Sequence, residues 1–183
     1  SSSRRAFAAL LLGLAIALPF AAAAQEDAAV LERRVKGALL YRFIAYVEWP
    51  ESAFATPDSP FVIGILGNDA LAAELQAFTA GRAAGKRRIT VRRLRPSDGV
   101  KDLHLLFIGA SQAQHLERAA RGAGSLLIVT ESPGALQQGS VINFTIVNDH
   151  VRFEISLDSA RSRNLRLSSR LLSVAQDVRP ATP

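Results

Sequence analysis

Ser111 is the residue whose surroundings most resemble those of a catalytic nucleophile. It lies in the segment Gly109-Ala110-Ser111-Gln112-Ala113, between a predicted strand and a predicted helix. This segment matches half of the G-x-S-x-G turn that exposes a reactive serine. His150 follows with several acidic residues in between, so the chain order of a serine hydrolase is available. A serine at this point is also the expected N-cap of the following helix, a role without catalysis. We therefore predict no catalytic residue and no enzymatic activity.

A second group of polar side chains consists of Asn143, Arg152 and Glu154, on two neighbouring predicted strands. Arg152 and Glu154 are two residues apart, so their side chains lie on the same face of a strand. One interpretation is an exposed cross-strand charge pair, worth a few tenths of a kcal/mol. The other is a polar cluster at the sheet edge that orients a ligand or a partner. We take all three as candidate binding residues.

The remaining motifs do not support a cofactor or a metal. The glycines of Gly81–Lys86 are spaced too closely for a phosphate loop, and Arg87 replaces the magnesium-binding Ser or Thr. Gly64 and Gly67 lack the third glycine of a dinucleotide-binding turn, so close backbone packing explains them better. The chain has three histidines and no cysteine, without the spacing of a metal site. The sequence predicts neither a cofactor nor a metal site.

The first residues indicate export. Arg4 and Arg5 precede an apolar run from Ala6 to Phe20, and Ala22-Ala23-Ala24-Gln25 follows. This order is typical of a signal peptide, and the run is shorter than the roughly 20 residues that span a bilayer. We predict a signal peptide over 1–24 and one domain over 25–183, with an ordered core at about 28–177. Export makes nucleic acid an improbable partner despite the formal net charge of +6.

The apolar spacing predicts a mostly parallel central sheet with helices on both faces. A long amphipathic helix at 31–47 ends before Trp49-Pro50, and its Tyr41 and Tyr46 could serve a dimer or a partner. Buried strands are expected at 61–67, 103–108 and 126–129, alternating with helices at 69–79 and 111–121. An antiparallel hairpin is predicted from 141–147 and 151–157 at one edge, followed by a helical region from 158. The fold class is α/β.

Cations are concentrated between residues 82 and 95, which hold seven lysines and arginines. A basic segment of this kind can be a solvated surface, meet an acidic partner, or contact anionic lipid headgroups. Peripheral membrane contact through 82–95 is therefore one expectation.

Taken together, the segments resemble the YfiR/HmsC family of periplasmic regulators, from about Val35 to Ala175. The resemblance rests on four segments in the right order. These are 38–50, ending in Trp-Pro, then 61–67, then 106–109, and lastly 139–144 with 151–156 and 165–172. Each segment alone would be weak evidence of the family, and the resemblance rests on finding all four in this order.

The resemblance implies an α/β protein of the periplasm that acts by binding rather than by catalysis. Its partner would be the periplasmic segment of an inner-membrane diguanylate cyclase or another membrane sensor. Repression of the cyclase would lower cyclic-di-GMP and biofilm formation. Family members with this role are dimeric, so a homodimer is expected. The redox control of some relatives does not transfer, because the chain has no cysteine.

Two alternatives from other classes stay open. One is a periplasmic small-solute-binding protein in which Arg152 and Glu154 line a pocket. The other is a serine hydrolase that uses Ser111.

Overall fold

The computed structural model describes residues 25–122 and 124–180, so the predicted signal peptide at 1–24 lies outside the described residues. The helices in this part of the chain are α1 (25–46), α2 (Asp69–Thr79), α3 (Leu116–Gly122), α4 (Leu157–Ser162) and α5 (Ser169–Ser173). The strands are β1 (Val47–Glu48), β2 (Phe61–Leu66), β3 (Ala83–Ala84), β4 (Arg87–Leu94), β5 (Leu105–Ile108), β6 (Leu127–Thr130), β7 (Ile142–Val147), β8 (His150–Ser156), β9 (Arg166–Leu167) and β10 (Asp177–Arg179).

Eight of these strands form one sheet in the order β10-β8-β7-β6-β5-β2-β4-β3. The five strands from β4 to β7 in this order run parallel, whereas β8 returns antiparallel to β7. Strand β10 then lies parallel to β8 as the outermost strand. The predicted α/β architecture is confirmed, with the hairpin near one edge. Strand β10 was not predicted.

Both faces of the sheet are covered by helices, and alternate residues of β5 are buried on opposite faces. Leu105 and Phe107 belong to the apolar cluster beneath α1 and α2, whereas Leu106 and Ile108 belong to a second cluster beneath α3. All four residues are buried. A strand buried on both sides needs no polar alternation, which is why the continuous apolar runs in the sequence predicted the central strands.

Helix α1 is held on the sheet by Phe43. Its ring stacks on Phe144 at a centroid distance of 5.9 Å and meets Phe153 edge-on at 5.2 Å. Phe144 and Phe153 are cross-strand neighbours in the β7–β8 hairpin. The turn of this hairpin has positive φ at Asn148 and Asp149, the backbone of a tight two-residue turn that suits the twist of the strands. One aromatic contact thus joins α1 to the hairpin.

Two predicted helices differ in the structure. The stretch expected at 111–121 begins as a 3-10 helix over Ala110–His115, is interrupted at Gln112, and becomes α3 only afterwards. Ser111 lies inside that 3-10 helix and is not its N-cap, which is Gly109. The helical region from 158 is split into α4 and α5 by β9, because β9 pairs with β1. Pairing with a distant strand overrides local helical periodicity there.

His104 occupies an aromatic cluster at the opposite end of β5 from the 3-10 helix. Its Nδ1 accepts a hydrogen bond from the backbone N–H of Val62 at 3.1 Å, and its Nε2 lies 3.1 Å from the carbonyl oxygen of Ala53. A carbonyl can only accept, so Nε2 carries the proton and the ring is neutral. The ring stacks on Phe54 at 4.3 Å. His104 therefore fastens the segment after α1 to the sheet.

Acidification should weaken this attachment. Burial lowers the pKa of His104; the bond to Ala53 and the charge of Asp102 oppose this, while the guanidinium of Arg87 adds to it. The unfolded chain therefore binds the proton first, so stability is complete above pH about 6.5 and decreases as the pH falls below that value. We expect the melting temperature to fall between pH 7.5 and 5. His104→Gln should flatten that slope, while the control His150→Gln, at an exposed site, keeps it. Parallel slopes for wild type and His104→Gln would contradict this.

The register of β8 makes a second prediction. Phe153 is buried against Phe43, whereas Arg152 is exposed on the same strand. Phe153→Asp should lower the free energy of unfolding by at least about 4 kcal/mol, because it removes a packed ring and buries a charge. Arg152→Ala should change it by less than about 0.5 kcal/mol. Thermal denaturation of both variants followed by circular dichroism tests this, and equal melting temperatures would mean that the register is wrong.

Candidate functional site

A groove of about 630 Å³ lies where β6 and β7 end, between the first half of α1 and the β7–β8 hairpin. We call it the carboxyl-end groove. Parallel strands bring their carboxyl ends to one edge of the sheet, where open α/β proteins place their binding crevices. Its polar lining includes Glu32, Lys36, Glu131, Thr145, Glu154 and Arg179.

Lys36 forms one wall of the carboxyl-end groove. Its side chain is only 8% exposed, and Nζ lies 2.5 Å from Oε2 of Glu131 and also bonds to Glu32. The other oxygen of Glu131 accepts the backbone N–H of Ala110 at 3.1 Å. Burial alone would lower the pKa of Lys36, but the hydrogen bonds and charges of Glu131 and Glu32 outweigh burial and raise it. The lysine is therefore a fixed cation that joins α1 to the ends of two strands.

Asn143, a predicted site residue, forms part of the groove and is 3% exposed. Its Oδ1 accepts hydrogen bonds from the hydroxyl of Thr130 at 2.7 Å and from the backbone N–H of Ser132 at 3.0 Å. Both donors lie at the end of β6 or just after it. Asn143 thus fixes the loop that borders the groove, and its amide oxygen is already used.

Glu154 lies opposite Asn143 in the hairpin register and lines the carboxyl-end groove. It is partly buried, yet its carboxylate has no hydrogen bond or ion pair with any other described residue. The hydroxyl of Thr145, also in the groove, is buried and has no hydrogen-bond partner in the described part of the chain. Two polar groups of the groove therefore have unused bonding capacity.

Arg152 does not join them. It is exposed, lies opposite Thr145 in the register and is absent from the lining of the groove. Within the described residues Arg152 and Glu154 form no ion pair. The charge pair that their spacing suggested is therefore not formed, and Arg152 does not line the carboxyl-end groove together with Glu154.

Tyr41 and Tyr46 lie towards the other end of α1. Tyr41 packs edge-on against Phe78 of α2 at 5.3 Å, and the guanidinium of Arg82 lies 4.3 Å from the centroid of Phe78. Tyr46 is half-buried, and its carbonyl accepts the N–H of Ser168. Neither lines the carboxyl-end groove, so the structure brings together only two of the five predicted residues.

The residues that sequence reasoning missed are Lys36, Glu131 and Arg179. Lys36 could have been predicted from the sequence, because it falls on the apolar stripe of α1 with Leu40 and Phe43. A charged residue at such a position needs a buried partner of opposite charge. Glu131 directly follows a buried strand. Arg179 had no signal, because it reaches the groove only through the unpredicted strand β10.

The crevice between the ends of β2 and β5 is filled by the protein itself. A Cβ added to Gly67 would lie 2.5 Å from Cγ of Gln112, and one added to Gly109 would lie 2.9 Å from the carbonyl oxygen of Gly67. The close packing predicted at Gly64 is also confirmed, since a Cβ there would lie 2.6 Å from the side chain of Leu94. The larger groove at this end of the sheet lies over β6 and β7, and a smaller cavity of about 290 Å³ lies at the ends of β2 and β4, beside Leu66 and Leu94.

Ser111 has none of the surroundings of a catalytic nucleophile. Its hydroxyl lies 3.4 Å from the carbonyl oxygen of Gly67 and bonds to no histidine or carboxylate of the described chain. His150 is exposed in the hairpin turn, where its ring bonds to the carbonyl of Asn148. Among the described residues no cluster of acidic, histidine or cysteine side chains could hold a metal ion, and no helix is long and apolar enough to cross a membrane.

Comparison with known protein families decides the classification. The model of the YfiR/HmsC-like family matches residues 33–176. The chain belongs to the YfiR/HmsC-like family. This is a family of periplasmic regulators that interact with membrane sensors. The matched region includes Lys36, Glu131, Asn143 and Glu154, so most of the carboxyl-end groove lies within the family domain.

A solved structure also resembles the chain. It is a conserved domain protein from Vibrio cholerae O1 biovar El Tor, with 8% sequence identity and a TM-score of 0.49. The alignment covers 64% of this chain and 54% of that protein, so the chain spans about half of its length. No curated protein matches the sequence.

The ionic network at Lys36 gives a prediction. Lys36→Met keeps the length of the side chain but leaves the carboxylate of Glu131, whose side chain is 17% exposed, without its cation. Removing one partner of a largely buried pair should lower the free energy of unfolding by about 3 kcal/mol. Urea denaturation followed by the fluorescence of Trp49 measures this.

Two further variants control this experiment. Glu32→Gln removes the partner whose side chain is 41% exposed, so it should cost less than about 1 kcal/mol. Adding Glu131→Gln to Lys36→Met should restore part of the loss. A Lys36→Met protein as stable as wild type would show that the network is dispensable.

Proposed function

We propose that this protein is exported to the periplasm and there binds the periplasmic segment of an inner-membrane sensor. We further propose that the sensor is a diguanylate cyclase, that binding represses it, and that cyclic-di-GMP and biofilm formation fall as a result. Membership of the YfiR/HmsC-like family supports this role. The proposal assigns the protein no enzymatic activity, cofactor or metal.

We propose the carboxyl-end groove as the docking site for that sensor. The observation that carries the proposal is that the carboxylate of Glu154, in the lining of the groove, has no bonding partner within the described chain. The carboxylate oxygens of Glu154 are not fully buried, so they are accessible from the groove and can accept hydrogen bonds from a cation of the partner. Ile146 in the same groove is 51% exposed and offers apolar contact beside the carboxylate. An apolar segment that carries a lysine or arginine would complement both.

The charges of the groove favour the same partner. Lys36 is already neutralised by Glu32 and Glu131, and Arg179 faces Asp177 at 3.8 Å. Glu154 is the unpaired charge that remains among these side chains. A partner cation that reaches it would form a charge-assisted hydrogen bond, which is stronger than a neutral one.

We make a separate proposal for helix α1. Tyr41 and Tyr46 stay our candidates for a homodimer or partner surface. Tyr41 is only partly buried against Phe78, which is itself 39% exposed. Sedimentation equilibrium of the purified protein determines whether it is a dimer.

The docking proposal predicts how substitutions of Glu154 change the affinity for the partner. Glu154→Arg should weaken binding to the periplasmic segment of the sensor encoded by a neighbouring gene by 2–5 kcal/mol, roughly 30-fold or more, because a buried charge reversal leaves the partner cation repelled. Glu154→Gln should weaken it less. Both variants should keep the circular dichroism spectrum of the wild type. Isothermal titration calorimetry measures the affinity, and cellular cyclic-di-GMP reports the loss of repression.

Asp149→Asn is the matched control, because it also neutralises one carboxylate of the hairpin, at the exposed turn. It should bind like wild type. If Glu154→Arg folds and binds normally, the interface lies elsewhere, with the surface around Tyr41 and Tyr46 as the next candidate. If Glu154→Arg does not fold, Glu154 is structural.

A further inference from the structure

The outer edge of β4 is open. On its inner side β4 pairs with β2 from Ile89 to Leu94. On its outer side the short strand β3 pairs only with Arg87 and Arg88. Within the described residues, the backbone from Ile89 to Leu94 has no strand on this side. An open edge carries N–H and C=O groups that can accept another strand.

One contact on this edge resembles what such a strand would supply. The side-chain amide of Gln76, on α2, donates to the carbonyl oxygen of Val91 at 3.1 Å. The donor is an exposed side chain, so the backbone N–H of an added strand could replace it. In the described chain no other side chain bonds to the backbone between Ile89 and Leu94.

The arginines of β4 fall into two classes. Arg87 lies on the ring of Phe54 at 3.7 Å and donates to backbone carbonyls, and Arg93 faces Asp69 at 3.5 Å. Arg88 and Arg92 are exposed, and their side chains have no hydrogen bond or ion pair with described residues.

Arg88 and Arg92 lie on one face of β4 with Thr90 between them, because alternate residues of a strand share a face. We call Arg88, Thr90 and Arg92 the basic edge. Their face is opposite that of Val91, which is packed beneath α2. The open stretch of backbone from Ile89 to Leu94 therefore carries one unpaired cation, Arg92, and has a second, Arg88, directly before it.

Charge decides what can occupy this edge. If a second copy paired antiparallel about Arg92, within the open stretch, the Arg92 side chains of the two copies would lie directly opposite each other. Like charges directly opposite in a sheet are destabilising, so the basic edge disfavours self-pairing. An acidic strand would be attracted instead. Its alternate carboxylates would face Arg88 and Arg92 while its backbone forms hydrogen bonds with β4.

We propose that the basic edge binds an extended acidic segment of a partner protein by strand addition next to β4. The segment would be about six residues long, the length of the open stretch, with Asp or Glu at alternate positions and apolar residues between them. Added strands gain affinity from backbone hydrogen bonds and specificity from alternate side chains. This surface is separate from the carboxyl-end groove and does not depend on its function.

The test uses the purified protein and a fluorescein-labelled peptide of alternating Glu and Val, seven residues long. Fluorescence anisotropy should show saturable binding. A peptide of the same charge with N-methylated alternate amides should bind at least tenfold more weakly, because it cannot complete the backbone ladder. Hydrogen exchange should slow at the amides between 89 and 94 when the unmodified peptide is added.

Two variants of equal charge change separate the basic edge from general attraction. Arg88→Glu/Arg92→Glu should reduce peptide affinity at least tenfold. Arg161→Glu/Arg170→Glu alters two exposed arginines of α4 and α5 and should leave it unchanged. Equal binding of the methylated peptide, or equal loss in both double variants, would overturn strand addition.

A membrane is the competing partner for these cations. Vesicles with 30% phosphatidylglycerol provide that comparison in a sedimentation assay. Sedimentation that depends on Arg88 and Arg92, without saturable binding of the peptide, would assign the basic edge to anionic lipid and refute the proposal. Failure of both probes would also refute it, and would leave the arginines as charges that keep the edge from pairing.

Discussion

The packing of Phe43 against Phe144 and Phe153 fixes how α1 lies across the sheet. Both partner rings belong to the β7–β8 hairpin, so this contact sets the helix relative to the edge of the molecule where the carboxyl-end groove lies. Lys36 is two turns earlier on the same face of α1, which brings its ammonium group over the end of β6. An aromatic contact in the core therefore determines the position of a charge in the groove.

Glu131 extends this arrangement to the neighbouring strand. One of its oxygens binds Lys36 and the other accepts the N–H of Ala110 after β5. A carboxylate from the chain itself thus occupies the backbone donor that a bound anion would use. With Gln112 against Gly67, it closes the crevice that many α/β proteins use for ligands. The larger open groove lies instead beside the hairpin, where the unpaired group is an acid.

Much of the fold could be predicted, because the central strands are continuous apolar runs and Asn68 caps α2 as its sequence indicates. The split of the last helical region could not, since it depends on β9 pairing with β1 across more than a hundred residues of chain. The site was predicted only in part. The hairpin register places Asn143 and Glu154 together, but Lys36 and Glu131 are 95 residues apart, and only the folded sheet brings them into contact.

The two walls of the carboxyl-end groove come from opposite ends of the domain. Glu32 and Lys36 are near its beginning, and Arg179, on β10, is near its end. Synthesis of the chain delivers the first wall long before the second, so a chain that has not yet reached β10 has no complete groove. On the docking proposed above, a partner would distinguish a completely folded domain from one that still lacks β10. The groove is therefore complete only after β10 has joined β8 at the edge of the sheet.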